Sequence, residues 1–167
     1  MSRVSQFELY QGVVLTKILR AGVDRGEKRV LRLVETRPRE NWSTYTLNDT
    51  YDLLVTHTTS ARKVSGGTSW TFVLSKNQLR QASPESKRRP GYIALVCARG
   101  KSTDGPMYVC LLEPDEVKRT VNFTARQQSL TVRKLEQKGT RLQLFKGRRV
   151  IYRIPMSRLE KWEIPGG

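Results

Sequence analysis

Over residues 5–21 apolar side chains recur every three to four positions, with Phe7, Tyr10, Val14 and Ile18 on one stripe and Leu15 and Leu19 on an adjoining one. That spacing predicts an amphipathic helix. Ser5 stands where an N-cap belongs, Gly22 where a left-handed C-cap would fall, and Lys17 and Arg20 suit the negative end of the helix dipole. Beyond it the period shortens. Residues 29–36 read as a strand ending before Pro38, and residues 45–59 and 69–75, rich in Thr, Val, Tyr, Trp and Phe, as two central strands. In the first of these Tyr51, Leu53 and Val55 alternate with Asp52, Leu54 and Thr56, which turns Asp52 away from the more apolar face. The SARKVSGGTS segment between the two is predicted to be a small, flexible, cationic loop.

Ser75 is placed to cap a short helix that gives way to a basic, proline-bounded linker. Residues 92–99 form a near-continuous apolar run of the kind buried on both faces, and MYVCLLE is a second apolar strand. Pro114, Asp115 and Glu116 open a short helix reaching about residue 123. In the final third SLTVRKL, TRLQLF and RVIYRIP read as three short strands, with Leu130, Val132, Leu142 and Leu144 on one face and Thr131, Arg133, Arg141 and Gln143 on the other. The whole predicts an α+β fold: a mixed central sheet flanked by an N-terminal helix and short helices, with a C-terminal antiparallel β-meander. Residues 1–123 are expected to form the core and residues 124–167 the meander, packed on it as one domain.

Charge decides the kind of partner. The 167 residues carry 31 Lys and Arg against 15 Asp and Glu, a formal net charge of +16 with a pI near 10.4. Such an excess opposes compaction and fits a polyanionic partner, nucleic acid first, with DNA favoured over RNA. The expected phosphate contacts are Arg62 and Lys63 in the glycine loop, the dense cluster Lys87, Arg88 and Arg89, and the meander residues Arg133, Arg141, Arg149 and Arg153. Trp42 is either a base-stacking platform or an anchor at the core edge, and Trp162 a lid over the core. Either tryptophan would also serve an interface with a protein partner in a nucleoprotein complex.

No apolar run approaches the roughly 20 residues that span a bilayer, and the first twelve residues hold no apolar signal core, so a cytoplasmic protein without a membrane partner is expected. Cys97 and Cys110 lack metal-ligand companions and read as buried thiols in two strands, opposite each other if the loop between them turns near Thr103. His57, the only histidine, lacks a group to orient it as a general base.

Helix, three-strand meander, helix and strand, in that order, is similar over about residues 6–98 to the core of the PD-(D/E)xK restriction-endonuclease-like nucleases. The resemblance implies carboxylates that hold Mg²⁺ at the scissile phosphate and a lysine that orients the attacking water. Asp52 matches the acid of the central strand, with Asp49 beside it, and Glu8 the helical glutamate. The strand expected to bring the acid-x-lysine pair, residues 69–75, has neither charge, and Lys76 comes only after it. The resemblance therefore implies a degenerate site on a scaffold retained for binding, with no cofactor. The alternative is a Mg²⁺-dependent nuclease using Glu8, Asp49 and Asp52.

Overall fold

A computed structural model describes residues 3–83, 89–100, 106–137, 139 and 141–164. It opens with α1 (Gln6–Asp24), whose first turn is closed by a capping box. The Ser5 hydroxyl accepts from the Glu8 amide at 3.2 Å while the Glu8 carboxylate accepts from the Ser5 amide at 2.7 Å. The helix runs past Gly22 and ends at Arg25, so Gly22 is not the cap. It is small for a packing reason: a Cβ there would lie 2.6 Å from Cδ of Arg29, whose side chain crosses the helix at that point.

β1 (Leu31–Arg37), a 3₁₀ turn (Pro38–Glu40), β2 (Trp42–Leu47) and β3 (Tyr51–Thr58) make an antiparallel meander. The single strand expected over residues 45–59 is thus two. Asn48 and Asp49 break it by taking left-handed φ values of 52° and 54°, which these residue types tolerate, and Asn48 Oδ1 accepts from the Val30 amide at 2.7 Å. The predicted cationic loop is also a strand, β4 (Ala61–Val64), joined to β5 (Gly67–Ser75) through a tight turn in which Gly66 has φ 75°. α2 (Lys76–Ala82) starts from the predicted Ser75 cap and leads on to β6 (Gly91–Cys97), which runs parallel to β3. β7 (Tyr108–Leu112), α3 (Pro114–Thr120), β8 (Gln127–Leu135), β9 (Arg141–Lys146) and β10 (Arg149–Pro155) complete the chain, α3 ending short of the predicted residue 123.

The strands form two sheets, a mixed one in the order β1-β2-β3-β6-β7 and an antiparallel one in the order β10-β9-β8-β5-β4. The fold is α+β. Trp42, Trp70, Phe72, Leu95, Leu130 and Leu144 pack between the sheets, whereas Tyr10, Val14 and Ile18 of α1, with Leu159 and Trp162 of the tail, cover the far face of the mixed sheet. One expectation fails here. Residues 69–75, expected as the second of two central strands, do not join the sheet that holds β3: β5 pairs along its whole length with β8. Trp70, Phe72 and Leu74 are buried while Thr71 and Val73 are exposed, and a strand apolar on one side only suits the sheet that has one free face. The inward apolar residues of β8 and β9, Leu130, Val132, Leu142 and Leu144, are fully buried as their alternation predicts.

Candidate nucleic-acid interface

Charge is segregated between the sheets. β1 and β3 of the mixed sheet contain Glu35 and Asp52, but the five strands of the antiparallel sheet contain no Asp or Glu. They hold eight basic residues, among them Arg62, Arg133, Arg141 and Arg153. Strand register then sorts these by face. Arg62 is opposite Ser69, Ser69 opposite Arg133, Arg133 opposite Gln143 and Gln143 opposite Arg153. One cross-strand row therefore runs Arg-Ser-Arg-Gln-Arg over the whole sheet, on the side turned away from the core. With strands about 4.8 Å apart, successive arginines are separated by about 10 Å. Arg141 shares the face, two residues from Gln143 along β9. Among the described residues none of these four arginines makes an ion pair with a carboxylate.

A second row lies beside the first: Thr71 opposite Thr131, Thr131 opposite Phe145, Phe145 opposite Val150. The two threonine hydroxyls share a hydrogen bond of 3.2 Å, and the Arg133 guanidinium sits 4.8 Å from the Phe145 ring centroid. On this face Arg62, Thr71, Arg141 and Arg153 are exposed, whereas Ser69, between Arg62 and Arg133, is only 7% exposed.

Other predicted contacts fall elsewhere. Lys63 is opposite Thr68 and Arg149 opposite Lys146, which puts both on the other side of the antiparallel sheet from the arginine row. Arg89 lies 3.8 Å from the Asp52 carboxylate. Lys87 and Arg88 are outside the described residues. Trp42 is completely buried, its Nε1 donating to Glu40 at 2.9 Å, and has no face to offer a base. Its place on β2, inside the inter-sheet core, gives the physical reason. In the sequence Arg62 stands out by charge only; its place in the row depends on the Ser65-Gly66 turn, which makes ARKV the strand before it.

The acids proposed for a metal do not converge. Glu8 is held in the α1 capping box, and Ser5 hydrogen bonds to its carboxylate push its pKa down. The first turns of α1 pack on His57, five residues along β3 from Asp52 and so roughly 17 Å away. Asp49 is a surface residue 3.5 Å from Arg32, and Asp52 is buried between the sheets. Among the described residues no group of three His, Cys, Asp or Glu is placed to hold a metal ion. These residues, apart as they are, do not fit Mg²⁺. Cys110 is opposite Leu95, not Cys97; both thiols are free, and burial pushes Cys110 up to about 12 and Cys97 well above its usual value.

His57 is buried against Tyr10, with ring centroids 4.9 Å apart, and its Nδ1 has no hydrogen-bond partner. Burial lowers its pKa below the usual 6.5. The unfolded chain thus binds a proton that the folded chain refuses, so this contribution to stability is complete above about pH 6.5 and is lost as pH falls through the window below it. Urea midpoints are expected to drop from pH 7 to pH 5, and to drop less in His57→Phe. Equal slopes in the two proteins would exclude His57 as the source.

Comparison with protein-family models, with curated proteins and with solved structures finds no match to this chain. No helix among the described residues is long and apolar enough to cross a membrane.

Proposed function

We propose that this protein binds nucleic acid inside the cell, gripping the phosphate backbone through the outer face of its antiparallel sheet, without chemistry of its own. The observation that carries this is the row of Arg62, Arg133 and Arg153 on a sheet devoid of carboxylates. Elsewhere in the protein buried or cleft-lining arginines are matched by acids, as Arg29 is by Glu27 and Arg158 by Glu116. Here the cations are left to an outside anion, and Arg suits phosphate because its planar fork donates in pairs. A scaffold similar to the PD-(D/E)xK nucleases fits the same proposal. Its support is the order α1, the β1–β3 meander, α2 and β6, with the β4–β5 hairpin interposed before α2. In that alignment the third meander strand is β3, where the acid-x-lysine slot reads Asp52-Leu53-Leu54 and lacks the lysine.

Binding through three or four phosphates gives a log–log salt slope of about −2 to −4. The combined variant Arg62→Gln, Arg133→Gln and Arg153→Gln is expected to flatten that slope by about 2 and to weaken binding at low salt by at least about tenfold. A control variant of the mixed sheet, Arg32→Gln with Arg37→Gln, should change neither. Absence of binding to any oligonucleotide at low ionic strength would refute the proposal.

A further inference from the structure

Resting on that proposal, we infer that the occupant of the outer face is a single-stranded nucleic acid, its backbone following the arginine row and its bases lying on the row of Thr71, Thr131, Phe145 and Val150. The second row runs beside the first, two residues away along β5, β8 and β9, about 7 Å, and three residues away along β10, where a bulge follows Val150. It carries no charge. Val150 is 39% exposed and Phe145 half-buried, so the row presents apolar and aromatic surface with two hydroxyls. A duplex would show this surface only phosphates and sugars, leaving nothing for Phe145 to stack on. The face also has no protruding helix or ribbon among its described elements to enter a groove. A single strand exposes base faces, and bases stack on aromatic rings and on guanidinium planes alike.

Phe145 and Arg133 supply both at one point, ring beneath guanidinium, at the centre of the sheet between the flanking arginines.

The test is fluorescence anisotropy at low salt with a labelled single-stranded DNA, the RNA of the same sequence and the corresponding DNA duplex. Both single strands are expected to bind at least about tenfold more tightly than the duplex, and Phe145→Leu to weaken them by about tenfold without moving duplex binding. Phe145→Tyr, which keeps the ring, should retain affinity. Val150→Trp adds an aromatic face at an exposed position and should strengthen single-strand binding several-fold, a gain that misfolding cannot imitate. Tighter binding of the duplex, or wild-type affinity in a folded Phe145→Leu protein, overturns the single-strand inference and leaves the phosphate grip standing. If none of the three oligonucleotides binds, both fall.

Discussion

Replacing Trp70 by alanine is expected to cost about 4 kcal/mol of folding stability. The side chain is completely buried between the sheets, edge-on to Tyr108 with centroids 5.9 Å apart, and its Nε1 donates to the Ala98 carbonyl at 2.8 Å. Alanine removes the apolar contact, opens a void where two sheets must touch, and leaves a buried carbonyl without its donor. Trp70→Phe keeps much of the volume but loses the donor, and should cost roughly 1–2 kcal/mol. Urea unfolding reads both, as a shift in midpoint with an unchanged m-value. A loss under about 1 kcal/mol for Trp70→Ala would mean that the sheets are not held together through this residue.

Arg29→Ala should be the second most damaging change, at about 3 kcal/mol. Arg29 is a cation whose side chain is only 1% exposed. It donates through Nη1 to the Ile18 carbonyl at 3.0 Å, through Nη2 to Glu27 at 2.8 Å and, by a short contact, to the Trp162 carbonyl. Its guanidinium also lies 5.8 Å from the Trp162 ring centroid. One side chain therefore ties the last turns of α1 to the C-terminal tail. Glu27 is 26% exposed and can return to water, so the cost falls chiefly on the two buried carbonyls left without donors. Arg29→Lys keeps the charge but cannot reach three acceptors with a planar fork, and should recover less than half of the loss. Full stability in Arg29→Lys would show that charge alone matters.

Local features of the fold were legible where one stretch of chain contains its own explanation. The α1 stripe, its Ser5 cap, the Ser75 cap and the alternation of β8 and β9 are of this kind. Pairing partners were not. Residues 69–75 look like any half-buried strand, and only the distant β8, some 60 residues later in the chain, determines that they belong to the outer sheet. The candidate site shares this history. Arg133, Arg141 and Arg153 could be placed on an outward face by alternation, but the row they make with Arg62 exists only once β4, β5 and β8 are in register. The same distinction explains Arg29: nothing within β-type sequence around it shows that a helix turn and the tail will close over it. Asp49, Asp52 and Glu8 failed in the other direction. Their types suited a metal, but their positions at opposite ends of β3 did not.

The outer sheet has two open edges, β4 and β10. An unpaired edge offers its amides and carbonyls to any extended chain, including another copy. Here β4 carries Arg62 and Lys63, and β10 carries Arg149, Arg153 and a terminal Pro155 that has no N–H to give. Copies approaching edge to edge meet like charge, so these cations keep the strands from templating one another. Arg62 and Arg153 belong both to this guard and to the row proposed to hold phosphate, so a polyanion bound as proposed would neutralise part of the guard.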